Sequence, residues 1–440
     1  MAGIFHLPGG KENACCIGFI YFIHPKNGLY QINVSFAQMK QFKNLVAVNY
    51  SHPEYYPPTL NALEYLSGEY DNIYMVHRNL NAFDWIYPSN VHLVPSGKKI
   101  HFSDAEQAGT LKKIFFFLGF TATIFKTIRR ARPDTILVYD FMPILSLYFL
   151  TPFIKKPRVL WYHNHDMGDE KYMRKWSISW FAWKSEKWLF PRLTVFSLPA
   201  VERKVFFPME KLKGQFFFLP NFPSKKVYGA IKPGIKKNDD GDIKLLYQGS
   251  IGALHGLEEI IPLLKEKISG RNMVLVLKGF VRDGYLQELE QLAAANGVKD
   301  KLLYLPPSGY REVIENAFTC HIGIGIHKKQ DIMNNTLGTA SNKIYEYAAT
   351  GMPVLIYDNA HFRATLGSRE WVFFTDTENA SLLAAISNII SNYDALSKKA
   401  TTDFTGELCF ENYIKPVIEF LKVNKTKTNA EHLAKIEIPG

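Results

Sequence analysis

Residues 341–354 read Ser341-Asn342-Lys343-Ile344-Tyr345-Glu346-Tyr347-Ala348-Ala349-Thr350-Gly351-Met352-Pro353-Val354, the pattern of a short helix, a glycine stop and a buried strand. We expect the Ser341 hydroxyl to cap the helix, whereas Gly351 and Pro353 end it. Free amides at the helix start predict an anion site, with Glu346 roughly one turn further in, near enough to accept from hydroxyl groups of the same ligand. An ordinary helix–strand unit with a solvated glutamate has the same spacing, so the motif alone leaves both interpretations open.

The composition indicates a globular protein with two domains. The chain has 440 residues, of which 47% are hydrophobic, enough for substantial cores. Its net charge of +11 favours an anionic partner. Since no basic recognition helix or ribonucleoprotein motif occurs, we expect no nucleic-acid partner.

Cysteine usage and hydropathy predict the compartment. No apolar run is long enough to span a bilayer, and residues 15–23 lack the cleavage pattern of a signal peptide. The cysteines form no CxxC pair, which predicts a reducing compartment and no zinc site. We therefore expect a cytoplasmic protein. Its cysteines are Cys15, Cys16, Cys320 and Cys409.

Residues 1–44 are expected to hold an early strand or hairpin with Gly28 near a turn. From residue 45 on, strands alternate with helices in the first half. This alternation predicts a parallel sheet with crossover helices, whose ligands gather at the carboxyl ends of strands. Ser51-His52 and His163-Asn164-His165-Asp166 fall at such ends. The predicted strands are 45–49, 72–77, 91–94, 134–139 and 158–162, and the predicted helices are 59–67, 111–130 and 142–150.

The histidines of residues 163–166 invite a metal-binding interpretation. His163 and His165 lie on opposite faces of an extended chain, and no third ligand has a supporting spacing. We therefore predict no metal site, and a polar role at the sheet edge, where a histidine can donate, accept or bear charge.

Two segments combine aromatic and basic residues. Residues 111–132 carry five phenylalanines among lysines and arginines, and residues 171–192 carry Trp176, Trp180 and Trp183 together with Trp188. Such helices suit the surface of an anionic bilayer, although core aromatics with solvated charges give the same pattern. The first alternative predicts peripheral association with the inner face of a membrane.

The second half repeats the strand–helix alternation after a linker predicted at 224–242. The Asp240-Gly241-Asp242 triplet lies in that linker with no strand before it, and we interpret it as a solvated turn. Gly249 and Gly252 follow the first strand, where glycine lets backbone approach a phosphate. Residues after 424 are expected to fray. The predicted strands are 244–248, 273–278, 302–305, 321–326, 354–357 and 372–374, and the predicted helices are 256–268, 283–296, 309–318, 341–350, 379–392 and 411–422.

The order of motifs in the second half resembles that of GT-B glycosyltransferases, in particular the retaining family 4. In the first half the resemblance is looser and involves His165-Asp166, Glu186 and the stretch 219–222. The second-half motifs are Tyr247-Gln248-Gly249-Ser250, His255-Gly256-Leu257-Glu258, Leu277-Lys278-Gly279, Leu303-Tyr304-Leu305-Pro306 and the stretch 342–354.

The resemblance implies an α/β fold of two Rossmann-like domains facing across a cleft. Residues 1–222 would form the acceptor-side domain, against which a late helix at 407–422 would pack, and residues 223–440 the donor domain. A nucleotide sugar of the UDP or GDP type would donate its sugar, with retention, to a lipid-linked, polysaccharide or other glycan acceptor. The resemblance implies neither a metal nor a permanently bound cofactor.

The resemblance also implies site residues. His165 would lie near the reacting sugar with Asp166 as its orienting partner, and Glu346 would accept from the ribose hydroxyls. The implied donor-binding residues are Gly249, Ser250, Gly252, His255, Lys278, Ser341, Asn342, Lys343 and Glu346.

Three positions depart from the family pattern. Gly338 stands where members commonly carry a glutamate, and Ser250 and His255 stand where they commonly carry basic phosphate contacts. Two alternatives therefore stay open: an epimerase of the same fold acting on a UDP-sugar, and a catalytically silent GT-B protein that binds a partner enzyme or a membrane.

Overall fold

The computed structural model describes residues 17–24, 28–35, 40–167, 173–231, 241–281, 284–329 and 336–436, with side chains described from 40 to 425. Residues 1–41 form one compact unit and residues 42–440 another. In the first unit, β1 (Ile17–His24) pairs antiparallel with β2 (Gly28–Ser35), which confirms the expected hairpin. Asp240 of the Asp240-Gly241-Asp242 triplet lies outside the described residues.

The first half of the second unit contains a seven-stranded parallel sheet in its described part. Its central strands are near-continuous apolar runs, as expected where helices cover both faces; all five residues of Thr135–Tyr139 are buried. The spatial order is β5-β4-β3-β6-β7-β8-β9, which reverses direction beside the first strand as in doubly wound folds. The strands are β3 (Phe42–Asn49), β4 (Tyr70–Leu80), β5 (Val91–Ile100), β6 (Thr135–Tyr139), β7 (Val159–His163), β8 (Val195–Leu198) and β9 (Gln215–Phe218).

Helices connect these strands near the predicted positions. The long helix predicted at 111–130 is present, and it ends where Arg132 adopts a left-handed backbone with φ 44°. The helices are α1 (Pro57–Leu66), α2 (Phe102–Gln107), α3 (Thr110–Ala131), α4 (Met142–Leu150) and α5 (Ile178–Leu189).

The second half holds another doubly wound sheet, also seven-stranded in its described part. Its path is β11-β12-β10-β14-β15-β16, and β13 pairs with the later residues of β12. Only β11 runs antiparallel. The two sheets confirm the predicted α/β class. The strands are β10 (Ile243–Gln248), β11 (Lys267–Ile268), β12 (Arg271–Lys278), β13 (Leu302–Leu305), β14 (Ile322–Ile324), β15 (Val354–Tyr357) and β16 (Val372–Thr375).

Two local predictions in this half were wrong. The helix predicted at 256–268 stops at Ile260, because Pro262 removes an N–H and the chain continues as a tighter 3-10 turn. The predicted linker begins with a helix over 225–231, where the Ser224 hydroxyl accepts from the Val227 N–H at 3.3 Å. The helices are α6 (Lys225–Ile231), α7 (Leu257–Ile260), α8 (Tyr285–Ala295), α9 (Tyr310–Phe318), α10 (Asn342–Ala349), α11 (Ala360–Leu366), α12 (Asn379–Ser391) and α13 (Tyr393–Gly406).

The final helix, α14 (Phe410–Ile436), returns to the first sheet. Residues 425–436 are helical, so the prediction of a frayed tail was wrong for these residues. Apolar side chains of α14 are fully buried in one cluster with Leu45 and Ala47 of β3 and Trp161 of β7. These α14 side chains are Phe410, Ile414, Val417, Ile418 and Leu421.

Candidate active site

A cavity of about 720 Å³ opens where the carboxyl ends of the two sheets meet. The first half contributes residues that follow β3 and β7, and the second half contributes residues that follow β10 and β12 together with the start of α10. Among the predicted site residues, the wall includes His165, Asp166, Gly249, Ser250, Lys278, Ser341, Asn342, Lys343 and Glu346.

Glu346 lies on the cavity wall one turn inside α10 and is 5% exposed. Its Oε2 accepts from the Gln248 amide at 2.5 Å, and its Oε1 accepts from the Tyr310 hydroxyl at 2.9 Å. Burial raises the pKa of Glu346 to about 7, although both hydrogen bonds and Lys343 oppose the rise. Each carboxylate oxygen keeps a second lone pair with which to accept from a ligand.

The start of α10 differs in one detail from the expectation. Ser341 occupies the N-cap position, but its side chain makes no capping hydrogen bond, so the predicted hydroxyl cap is wrong. Asn342 begins the helix, and its buried Oδ1 has no partner among the described residues. The first turn therefore presents backbone amides and a polar side chain at the cavity wall.

Lys343 is partly buried beside Gly249. Its Nζ donates to the Tyr247 hydroxyl at 2.9 Å and lies 4.0 Å from the centre of the Tyr247 ring. Burial lowers the pKa of Lys343 to about 7, while Glu346 acts in the opposite direction. The α10 residues at positions 343 and 346 thus place a weakly basic ammonium group and a weakly acidic carboxyl group in the same cavity.

The other predicted donor contacts divide into two groups. Lys278 lies on the wall, but its Nζ is already paired with Glu312 Oε1 at 2.7 Å, and the Gly249 N–H donates to the Lys278 carbonyl at 2.9 Å. Gly252 and His255 are not among the lining residues; the His255 ring packs on Tyr247 instead, with 5.0 Å between centroids. The structure therefore does not bring positions 252 and 255 to the cavity.

Gly279 is required by the close approach of two loops. Its φ is +136°, and a Cβ at this position would stand 2.1 Å from the Gly249 carbonyl oxygen. We expect Gly279→Ala to lower the free energy of unfolding by about 3 kcal/mol, since both the backbone strain and the clash must be relieved. Gly297→Ala is the matched control, because φ is +69° there but no atom lies within 4 Å, and it should cost about 1 kcal/mol. Urea denaturation of both variants measures the difference, and equal losses would contradict the steric explanation.

On the opposite wall, Asp140 organises the loop that carries His165. Asp140 has a positive φ of 59°, and its Oδ1 accepts from the backbone N–H groups of His165 and Asp166 at 2.7 and 3.1 Å. The His165 ring is buried and stacks between Tyr139 and Tyr56, at 5.1 and 5.7 Å between centroids. Asp166 has an exposed side chain at the cavity.

Arg203 ties this loop to the second half, and sequence reasoning missed both it and Asp140. The Arg203 guanidinium is 1% exposed; its Nη1 donates to the His165 carbonyl at 2.7 Å, and its Nε donates to the Thr336 hydroxyl at 3.2 Å. A lone arginine far along the chain gives no motif that could have been recognised. Arg203 therefore links the loop that carries His165 to Thr336 of the second half.

Glu186 lies away from the cavity wall. It is buried, and one of its carboxyl oxygens accepts from the Tyr162 hydroxyl. Burial raises the pKa of Glu186 to about 8, and the Tyr162 hydrogen bond opposes the rise. The structure therefore gives Glu186 the environment of a core group.

The raised pKa of Glu186 predicts a pH-dependent gain from Glu186→Gln. Because the folded-state pKa lies above the ordinary value, the carboxyl group destabilises the fold increasingly as the pH rises from about 4.5 to 8. Glutamine keeps the shape and does not titrate, so the variant should exceed the wild type in free energy of unfolding by roughly 2–4 kcal/mol more at pH 8 than at pH 5. Glu290→Gln, on the exposed side of α8, serves as the control in urea titrations, and a difference that does not change with pH would refute the assignment.

Gly338 has no room for a side chain. A Cβ there would stand 2.8 Å from His361 Nε2 and 2.7 Å from the Thr365 hydroxyl oxygen, and the Gly338 N–H donates to His361 Nε2 at 2.8 Å. The α11 side chains at positions 361 and 365 thus fill the space that a glutamate at this position would need.

The two doubly wound sheets and the cavity between them match the GT-B fold, and the solved structures of similar fold include glycosyltransferases. Sucrose-phosphate synthase from Thermosynechococcus elongatus has a TM-score of 0.57 at 12% identity over 89% of this chain and 100% of its own. A glycosyltransferase from Rickettsia africae has a TM-score of 0.57 at 12% identity over 87% and 98%. Anabaena HepE, in its complex with UDP-glucose, has a TM-score of 0.55 at 10% identity over 86% and 99%. At these identities the likeness shows the fold.

Comparisons at the level of sequence give no family. No protein-family model matches the chain, and no curated protein matches it. Within the part of the chain that the structure describes, no helix is both long and apolar enough to cross a bilayer.

Proposed function

We propose that this protein is a retaining glycosyltransferase, which moves a sugar from a nucleotide sugar to a lipid-linked, polysaccharide or other glycan acceptor. The observation that carries the proposal is Glu346, buried in the cavity wall with both oxygens fixed by Gln248 and Tyr310. A carboxylate held in this way can accept from a pair of ribose hydroxyls. The fold supports the same proposal, since Anabaena HepE has been solved with UDP-glucose.

The donor would lie along the second half. Its diphosphate would rest at the start of α10, where Ser341 and Asn342 flank free amides and the helix dipole is positive. Gly249 and Ser250 would close over it from the β10 loop. Lys278, which is paired with Glu312, would contribute positive charge. Positions 252 and 255 have no direct part in this arrangement.

The acceptor would enter from the first half. His165 is held rigidly by ring stacking and by its backbone bonds, so it can contact the reacting sugar without reorganisation. Its Nδ1 lies 3.9 Å from Asp140 Oδ2, which supports Asp140 in the orienting role that the family resemblance implied for Asp166. Positive groups and the α10 dipole would stabilise the departing diphosphate without a metal ion.

We also propose peripheral association with an anionic membrane. Large apolar side chains are exposed on α3, at the end of α4 and just after it, and before α5. The three helices pack together through Phe117, Leu145 and Ala182. We call these exposed side chains the apolar surface. Its members are Leu111 (74% exposed), Phe115 (71%), Leu118 (55%), Phe149 (53%), Phe153 (68%) and Trp176 (76%).

A second candidate function is a catalytically silent protein of the same fold. The filled space around Gly338 favours it, because a side chain in contact with the donor cannot be placed there without moving His361. A silent protein would still bind nucleotide in the Glu346 cavity.

Two measurements test the proposal. Thermal denaturation with a panel of UDP- and GDP-sugars should show a raised Tm with at least one donor; no response to any nucleotide or nucleotide sugar would refute it. Hydrolysis of that donor, followed by NMR of the anomeric configuration, should give the retained anomer first. Binding without turnover would instead support the silent protein, and isomerisation of the donor would indicate an epimerase.

A further inference from the structure

His327 is a buried histidine to which the proposed function gives no role. It follows β14, is 8% exposed and lines the cavity. Neither of its ring nitrogens has a hydrogen-bond partner among the described residues. Leaving such a group unsatisfied destabilises the fold, so a buried polar group without a partner calls for a specific explanation. A ligand in the cavity would supply the missing partner.

The surroundings of His327 are basic or neutral. Lys343 from α10 and His255 from the loop before α7 both act on it electrostatically, and the His255 ring meets it edge-to-face at 4.9 Å between centroids. From α11 it faces the uncharged ring of Phe362 at 6.5 Å, whose neighbour His361 is occupied by the Gly338 N–H.

Lys343 faces the same space from the other side. The position that a Cβ on Gly249 would occupy is 3.7 Å from Lys343 Nζ, so the ammonium group reaches the loop after β10. The charged or titratable groups that face it are Tyr247 from β10, Glu346 from its own helix and His327 itself. Asn342, next to Lys343, adds a buried oxygen without a partner among the described residues.

We propose that His327 and Lys343 form the seat of the donor's diphosphate and take up a proton when it binds. The inference rests on the proposed function. It also explains how the site binds a diphosphate although Ser250 and His255 stand where members of the resembled family commonly carry basic residues. The cationic contacts come from the loop after β14 and from α10 instead.

The proton uptake follows from the electrostatics of the free site. Burial holds the pKa of Lys343 near 7, so the ammonium group is only partly formed at neutral pH. Burial, with Lys343 and His255, holds the pKa of His327 well below its ordinary value. A diphosphate brought between them stabilises the protonated form of each and raises both pKa values. Glu346 titrates in the same range, so variants, rather than a pH profile alone, must separate the groups.

Calorimetry of UDP and GDP binding at pH 7.5, in buffers of low and high ionisation enthalpy, tests the inference. The wild type should take up roughly 0.5–1 proton per nucleotide, and uridine, which has no phosphate, should take up none. Lys343→Gln should remove most of the uptake and weaken nucleotide binding about 10-fold. His327→Gln should weaken binding about 10-fold at pH 6, where the imidazole is the group that gains the proton. His92→Gln, at an exposed position of β5, is the control, and a Tm for each variant verifies folding.

The outcomes separate this inference from the proposed function. Tight nucleotide binding with no proton uptake, or with equal uptake in the wild type and both variants, overturns the inference and leaves the glycosyltransferase proposal standing. If neither UDP nor GDP binds to the folded wild type, both are overturned.

Discussion

Glu346→Ala is expected to weaken nucleotide binding at least 100-fold and to abolish sugar transfer. The carboxylate is the group in the cavity best placed to accept two hydroxyl hydrogen bonds, and each such bond to a charged acceptor contributes about 1.5–3 kcal/mol. Calorimetric titration with UDP and GDP measures the loss. A nucleotide without its 2′- and 3′-hydroxyls should bind the wild type and the variant almost equally, because the contact it lacks is the one that the variant removes.

The design separates loss of contact from loss of fold. Because burial raises the pKa of Glu346 to about 7, the carboxylate destabilises the folded state at alkaline pH, and Glu346→Ala should keep a Tm at pH 8 close to that of the wild type. Glu290→Ala is the control, because Glu290 is exposed on α8 and lies outside the cavity lining. An alanine variant that binds the full nucleotide as tightly as the wild type would remove the central support for the proposed function.

A triple variant, Leu111→Ser, Phe115→Ser and Trp176→Ser, is expected to lose at least 10-fold in binding to vesicles that contain anionic lipid. The three side chains are 74%, 71% and 76% exposed, so they contribute little to the core and can bury their apolar area in a bilayer. Positions 111 and 115 are one helical turn apart and therefore face the same way. Sedimentation with phosphatidylglycerol vesicles at two salt concentrations measures the effect.

The control uses an equally exposed residue elsewhere. Ile86 is 86% exposed but lies outside the apolar surface, so Ile86→Ser should sediment with vesicles like the wild type. Neutral vesicles should bind all forms weakly, since the attraction to anionic lipid is electrostatic and falls with salt. Equal sedimentation of the wild type and the triple variant would show that this surface does not meet the membrane.

The sequence predicted those elements whose local signal agrees with their environment. Strands β13 and β15 were predicted to the residue, because each is an uninterrupted apolar run. The helix predicted at 256–268 was too long, because Pro262 has no N–H to donate and the α-helix ends before it. The chain after 424 looked like a polar tail, because a helix of low amphipathicity gives no periodic signal.

The candidate site was predictable where its residues share one short stretch of sequence, as with His165 and Asp166, which follow a predicted strand and line the cavity. Glu346 and Lys343 lie within a single helix, so one stretch of sequence reveals both. His327 lines the cavity, whereas Asp140 and Arg203 hold the loop that carries His165. Asp140 and His327 directly follow the predicted strands 134–139 and 321–326, so the strand-end signal marks their positions, but nothing in the local sequence marks Arg203. Gly252 was expected at the cavity because it follows the same strand as Gly249, and His255 because of the family resemblance, but the loop turns away from the cavity after Ser250. Long-range geometry of this kind is fixed by packing rather than by spacing.

Helix α14 sets a constraint on biosynthesis. The first sheet is translated well before α14, yet part of its core consists of Phe410, Ile414 and Val417 of that helix. Until α14 has been translated, β3 and β7 lack one of the layers that bury them. The first half therefore stays partly uncovered until the second half has been made, and the two halves complete their folding together rather than one after the other.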